Sequence, residues 1–350
     1  MTVAYSNKKP AGDGAVRQLK QDLAQGTPAR LYVFYGEEGY LKRHYLSQLR
    51  QMCAGAFETF NIVLLDGEQV SVQTLSDAVD SLPMGSERKL VIVRDYKLLQ
   101  PSGDMKEYLP ELLSNLPDYV CLVFYFDSME FKADKRLNLW KILEKNGQVV
   151  EFPRSSSASL IPWIRRHFDE LGKSIDPASC EYLFFLCGAS MDNLLTEIEK
   201  IAAGTPGPTV TRSDIDALGS RVLEATVFEL TDALVERQYP KALLILRDLF
   251  DMKQEPVAIL AAITKQLQRL YGAKLAQNAG YGENDTAKLL GFTSAYPARR
   301  LIQSARRCSL PYLRWVQGAC LETDLALKSN LPDPQRSLEL LLLRCAEAAR

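Results

Sequence analysis

The sequence of 350 residues lacks any long hydrophobic run. A membrane-spanning helix needs about 20 consecutive apolar residues, and candidate stretches such as residues 119–126 and 338–343 are far shorter. Residues 1–14 are polar and contain no apolar core of the kind found in a signal peptide. We therefore expect a cytoplasmic protein without a membrane segment.

Patterns typical of metal sites and of catalysis are also missing. The seven cysteines include no C-x-x-C pair and lie partly within apolar stretches, which predicts buried free thiols and no metal site. The two histidines, His44 and His167, lie in amphipathic segments and are interpreted as surface or half-buried side chains. No serine has a G-x-S-x-G context. We predict no catalytic residue.

The charge is nearly balanced but unevenly distributed. The net charge of −1 argues against a polybasic nucleic-acid binder. Residues 1–220 carry 24 Lys and Arg against 29 Asp and Glu, whereas residues 221–350 carry 18 against 14. Any surface that faces an anion is therefore expected in the C-terminal part.

The first 150 residues alternate short apolar runs with amphipathic stretches. This succession predicts a parallel sheet that is covered by helices on both faces. The predicted strands are Leu31–Tyr35, Ile62–Leu65, Leu90–Arg94, Val120–Phe126 and Val149–Phe152.

After Pro153 the pattern predicts helices only. A small helical block includes a capped helix start at Thr211 and is followed, from about residue 222, by a larger helical part. We predict an α/β domain over residues 1–152, a small helical domain over 153–220 and an all-helical domain over 221–350.

The turn after the first strand is the place for a phosphate-binding loop. On the pattern G-x-x-x-x-G-K-[ST], Gly36 and Lys42 fall on the first glycine and the lysine. Leu41 replaces the second glycine and Arg43 replaces the hydroxyl residue, so the phosphate cradle and the Mg²⁺ ligand are both missing. We interpret the segment as a degenerate nucleotide loop, and Asp95 and Asp127 as caps at strand ends.

Four segments in the same order and spacing resemble the family of bacterial DNA polymerase III delta subunits. They are residues 31–38 with 40–42, 82–93, 296–301 with 304–307, and 322–329. The resemblance extends from about residue 28 to 346. It implies an AAA+-like clamp-loader subunit that binds no ATP, with a RecA-like domain, a helical lid and a helical collar.

The resemblance also implies partners and a contact site. The expected partners are the beta sliding clamp, the gamma/tau and delta-prime subunits, and primed DNA through the complex, with no cofactor. Polymerase activity would belong to the holoenzyme. The segment that corresponds to the clamp contact is Leu82, Pro83 and Met84. Pro83 stops the preceding helix, which leaves Leu82 and Met84 to project from the surface, although Leu82 could instead pack back on the sheet.

A group of arginines is a second candidate site. Arg299 and Arg306, like Arg300 and Arg307, are seven residues apart and therefore share a helical stripe. The stripe could contact nucleic-acid phosphates, acidic residues of a neighbouring subunit, or solvent alone.

Two other functions are kept as alternatives. A nucleotide-hydrolysing AAA+ subunit of the gamma or delta-prime type would need an intact phosphate loop and a Ser-Arg-Cys motif, whereas Arg306 precedes Arg307-Cys308 here. A helical scaffold without a clamp partner would leave residues 82–84 without a role.

Overall fold

The computed structural model describes residues 12–292, 295–329 and 333–348. The chain divides into two compact units, Met1–Arg154 and Ser155–Arg350. The finer division at residue 220 stays a prediction. Within the described ranges, no helix is long and apolar enough to cross a membrane.

The first unit is built on a five-stranded parallel sheet with the strand order β2-β3-β4-β1-β5. The strands are β1 (Leu31–Tyr35), β2 (Ile62–Asp66), β3 (Lys89–Arg94), β4 (Val120–Tyr125) and β5 (Gln148–Glu151). The helices are α1 (Gly12–Gln25), α2 (Gly39–Ala54), α3 (Glu58–Asn61), α4 (Val72–Asp80), α5 (Met105–Ser114) and α6 (Asn138–Asn146). The predicted parallel sheet is confirmed, and each strand lies within one residue of its predicted bounds.

Both faces of this sheet are buried. Alternate residues of a strand point to opposite faces, so Leu31 and Val33 pack in one apolar core while Tyr32 and Phe34 pack in the other. Every residue of β4 is buried. This double burial is why the strands are continuous apolar runs in the sequence.

The second unit consists mainly of helices. They are α7 (Ser157–Glu170), α8 (Pro177–Cys187), α9 (Met191–Gly204), α10 (Arg212–Leu218), α11 (Leu223–Val235), α12 (Tyr239–Asp251), α13 (Pro256–Asn278), α14 (Glu283–Leu289), α15 (Ala295–Arg306), α16 (Leu310–Lys328) and α17 (Pro334–Ala348). The expected capped start at Thr211 is confirmed, because its side chain and that of Asp214 form a reciprocal capping box.

The expectation of helices only after Pro153 is wrong in one place. A parallel pair of two-residue strands, β6 (Ser174–Ile175) and β7 (Thr209–Val210), lies within the second unit. Lys173 stabilises this pair by donating to the carbonyl oxygens of Thr205 and Gly207, at 2.6 and 2.8 Å. Two residues are too few to produce a period-2 pattern, which is why the sequence gives no sign of these strands.

The structure confirms the prediction that the cysteines are buried and free. All seven are buried free thiols. Burial raises the pKa of Cys180, Cys187 and Cys345 to about 12, so these thiols stay protonated at neutral pH.

Candidate functional site

Residues 81–88 connect α4 to β3 and lie where the parallel strands begin, which we call the amino edge of the sheet. Leu82 and Met84 expose 74% and 47% of their surface. Leu82 therefore does not pack back on the sheet, and both apolar side chains project outward as expected. Large apolar side chains are usually buried inside a protein. Because Leu82 and Met84 are exposed instead, they are available for contact with another apolar surface.

The buried side chain of Asn61 holds the backbone of Met84 in place. Its Nδ2 donates to the carbonyl oxygens of Ala54 and Met84, at 2.9 and 2.8 Å. The backbone N–H of Met84 donates to Asn61 Oδ1, at 2.7 Å. Both polar backbone groups of Met84 are thus engaged by a single amide group. The Met84 side chain projects from a fixed backbone, with less conformational entropy to lose on binding.

Gly85 also restricts the backbone next to Met84. Its φ of +61° lies in the left-handed region, which favours glycine. A Cβ atom at this position would lie 3.0 Å from Cδ2 of the Phe57 ring. The connection therefore approaches the residues before α3 closely, and the Phe57 ring lies against it.

Lys89 joins the two ends of the connection. It is the first residue of β3 and is buried, and its ammonium group donates to Oγ of Ser81. Ser81 in turn is the C-cap residue of α4, with its N–H donating to Asp77. Burial lowers the pKa of Lys89. Residues 81–85 are thus fixed at Ser81, at Met84 and at Gly85.

The degenerate nucleotide loop lies at the opposite edge, where the strands end, which we call the carboxyl edge. Lys42 is buried, and its Nζ donates to the carbonyl oxygen of Phe126 at 2.6 Å. Burial lowers its pKa, while Asp127 and Asp95 act in the opposite direction. The lysine that would hold a phosphate is engaged within the protein.

The start of the loop is closed by the chain after β5. Gly36 has a φ of +112°, and a Cβ atom on it would lie 2.3 Å from the carbonyl oxygen of Phe152. The same oxygen accepts from the N–H of Glu38 at 3.0 Å. Leu41 packs on the adjacent apolar core, and a Cβ on Gly39 would lie 3.0 Å from Nη1 of Arg43. The N–H of Glu38, in the segment whose N–H groups cradle phosphate in a working loop, is thus used for an internal contact.

Asp95 is a strand-end cap, as expected. Its carboxylate accepts from three successive backbone N–H groups, those of Asp127 (2.8 Å), Ser128 (3.1 Å) and Met129 (3.1 Å). Successive N–H groups of this kind form an anion-binding concavity. The concavity at the carboxyl edge already contains a carboxylate of the chain itself.

Three of the four arginines in the predicted stripe have carboxylate partners within the second unit. Arg300 pairs with Asp232 at 2.6 Å, Arg307 with Glu236 at 2.9 Å and Arg306 with Glu283 at 3.0 Å, while Arg299 is exposed. Burial raises the pKa of Asp232, and Arg300 opposes that shift. The stripe thus joins α15 to α11 and α14, and its role toward DNA or a neighbouring subunit stays a prediction.

Two family models match this chain. The model for the DNA polymerase III delta subunit matches residues 32–153, and the model for the C-terminal domain of that subunit matches residues 224–345. Together they match more than half of the chain. The chain belongs to the DNA polymerase III delta subunit family.

Individual relatives agree with this family. The chain is 27% identical over 333 residues to DNA polymerase III subunit delta of Bacillus subtilis (strain 168), covering 93% of this chain and 95% of that protein. It is 26% identical over 276 residues to the probable delta subunit of Aquifex aeolicus (strain VF5), covering 76% and 77%. The solved DNA clamp loader delta protein of Bacillus subtilis superposes with a TM-score of 0.60 at 25% identity, over 95% of this chain and 99% of that one.

In this member of the delta family, the structure adds residues that the sequence did not reveal. Asn61, Phe57 and Lys89 support the 82–84 segment from positions before and after it. Asn61 is separated from Met84 by 23 residues, and no spacing rule connects the two. A polar residue directly before a predicted strand was the only available signal.

Proposed function

We propose that this delta-family chain binds the beta sliding clamp through Leu82, Pro83 and Met84, and opens or holds open one interface of the clamp ring for loading onto primed DNA. The observation that carries the proposal is the combination of two exposed apolar side chains with a backbone fixed by Asn61. Apolar anchors of this size typically contribute about 2 kcal/mol or more to an interface.

Ring opening needs differential binding. A ligand shifts an equilibrium only by the difference between its affinities for the two states. A mobile segment could follow the clamp surface in either state, whereas a fixed segment matches one shape better. The three supports at Ser81, Met84 and Gly85 therefore favour a segment that distinguishes the open form from the closed form.

We further propose that the chain neither binds nor hydrolyses ATP. The alternative of a nucleotide-hydrolysing AAA+ subunit would require Lys42 to leave the carbonyl oxygen of Phe126. It would also require Phe152 to move away from Gly36. ATP would act on this chain through neighbouring subunits, which would expose or hide the clamp contact.

The helical part is proposed to assemble with gamma/tau and delta-prime subunits in the cytoplasm. In this proposal residues 1–152 bind the clamp, 153–220 form a lid and 221–350 form the collar. Support comes from exposed leucines on two packed helices, α16 and α17, since exposed apolar groups of this kind mark contact surfaces. They are Leu321, Leu325, Leu340 and Leu343.

The decisive experiment measures equilibrium binding of the full chain to the sliding clamp of the same organism. The double variant Leu82→Ala with Met84→Ala is expected to weaken binding at least about 30-fold. The matched control is Leu289→Ala with Met252→Ala, because these residues are of the same types and similarly exposed in the second unit. A separate ATP titration is expected to show no saturable binding.

The outcomes separate the claims. Clamp binding that persists in the double variant means that the contact lies elsewhere on the chain. Absence of clamp binding by the wild-type chain contradicts the proposed function itself. Saturable ATP binding contradicts the reading of the carboxyl edge.

A further inference from the structure

Exposed apolar side chains of the first unit are concentrated in one region. Within residues 12–154, the large hydrophobic side chains that the structure shows as exposed come from the short stretches 57–64 and 82–84. They are Phe57, Phe60, Leu64, Leu82 and Met84. Single exposed apolar residues are ordinary on protein surfaces, whereas concentration in neighbouring segments is typical of an interaction site.

The turn that carries Phe57 and Phe60 is joined to the 82–84 segment by direct contacts. The Phe57 ring lies against Gly85, directly after Met84. Phe60 lies three residues further along, on the single turn of α3, and its backbone N–H donates to the carbonyl oxygen of Phe57 at 3.1 Å. The same turn ends in Asn61, whose amide group holds Met84. One hydrogen-bonded unit thus presents both pairs of apolar side chains.

The two pairs are chemically complementary. Met84 is flexible and fills an irregular pocket, but it offers no rigid ring. Interface residues with the largest effects are commonly rigid aromatic side chains near the centre of the contact. Phe57 and Phe60 are 43% and 62% exposed. They supply large rings on the turn that is hydrogen-bonded to Met84, whereas Leu82 and Met84 have no ring.

We propose that Phe57 and Phe60 belong to the same apolar contact surface as Leu82 and Met84, and that they bind the sliding clamp next to the site occupied by that pair. This inference rests on the proposed function and extends it to a second segment of the chain. The partner surface is expected to be apolar beside its pocket for Leu82 and Met84.

The test compares clamp binding by Phe60→Ala with two controls. Phe60 is well exposed, so its removal should leave folding unchanged. Thr59→Ala is a local control on the same turn, and Tyr281→Ala is an exposed aromatic control in the second unit. We expect Phe60→Ala to weaken binding about fivefold to tenfold, and each control to change it by less than about twofold.

A second measurement guards against a folding defect. A photoreactive phenylalanine analogue at position 60 is expected to crosslink to the clamp, whereas the same analogue at position 281 is not. Unchanged affinity of Phe60→Ala together with no crosslink, while the Leu82 and Met84 double variant loses binding, overturns this inference alone. If the double variant also binds normally, the clamp contact lies elsewhere on the chain and the inference fails together with the proposed contact at Leu82 and Met84.

Discussion

The two edges of the five-stranded sheet differ in how their polar and apolar groups are used. At the carboxyl edge, Lys42, Gly36 and Asp95 are all engaged with backbone groups of the same chain. At the amino edge, Leu82 and Met84 project into solvent from a fixed backbone. Ligands of open parallel sheets usually bind at the carboxyl ends of the strands. Here that edge is closed internally, and the candidate contact lies at the opposite one.

Internal hydrogen-bond partners for its charged groups explain why the carboxyl edge is stable. A buried ammonium group without a partner is costly, and the Phe126 carbonyl oxygen supplies a partner for Lys42 within the protein. A carboxylate in a concavity of N–H groups is likewise satisfied, as Asp95 is. Lys42 and Asp95 at the carboxyl edge are therefore satisfied within the protein, whereas the apolar amino edge gains free energy only when something covers it.

The largest expected effect concerns the closed edge. Gly36→Ala would place a Cβ atom 2.3 Å from the carbonyl oxygen of Phe152, in a left-handed conformation. We expect the first unit to lose about 3 kcal/mol or more of stability, from strain and a clash with backbone. The measurement is the urea dependence of hydrogen exchange in β1 peptides.

Gly103→Ala is the matched control for that prediction. Gly103 also has a positive φ, of +55°, but its added Cβ would meet open space. Its cost should stay near 1 kcal/mol from backbone strain alone. Equal costs at the two glycines would show that Phe152 does not close the loop.

A moderate effect is expected at the open edge. Asn61→Ala removes the hydrogen bonds to both backbone groups of Met84, and we expect clamp affinity to fall about tenfold. The measurement is a double-mutant cycle with Met84→Ala. Once the Met84 side chain is absent, loss of Asn61 should weaken binding much less. Full additivity of the two changes would mean that Asn61 does not act through Met84.

A smaller effect is expected for Lys42→Met. The substitution removes the cost of burying an ammonium group but leaves the Phe126 carbonyl oxygen without this donor, and the two effects on stability oppose each other. We expect less than about 1 kcal/mol in unfolding free energy and unchanged clamp affinity. A large drop in clamp affinity would mean that the two edges are not independent.

The smallest effect is a pH dependence at Lys89. Burial lowers the pKa of Lys89 in the folded state, so the unfolded chain binds more protons just below the usual lysine pKa of about 10.4. Stability from this group therefore rises as pH increases toward that value. Lys89→Met should flatten the slope of unfolding free energy against pH in that range. An unchanged slope would show that Lys89 keeps its ordinary pKa.

The sequence was sufficient for features that depend on neighbouring residues. Continuous apolar runs predicted the parallel sheet because strands buried on both faces require them. Pro83, two residues beyond the C-cap of α4, predicted that Leu82 and Met84 would project. Asp324 and Lys328, four residues apart on α16, pair at 2.7 Å, as this spacing on one helix favours.

Features that join distant parts of the chain were not predictable. The bond from Lys42 to Phe126 crosses 84 residues, and the bond from Asn61 to Met84 crosses 23. Arg300 looked available for an external anion because its partner, Asp232, lies on another helix. Side-chain patterns along one helix show which residues share a face, but they do not show what that face meets.

The internal contacts of Lys42 and Gly36 determine what an engineered phosphate loop would have to overcome. Changing Leu41 to glycine and Arg43 to serine would restore the sequence pattern G-x-x-x-x-G-K-[ST] of a phosphate loop. Phe152 would still occupy the space above Gly36, and Asp95 would still fill the nearby N–H groups. An engineered ATP site would therefore require coordinated changes in the segments that follow β1, β3 and β5. Restoring the sequence pattern alone is not expected to create a nucleotide site.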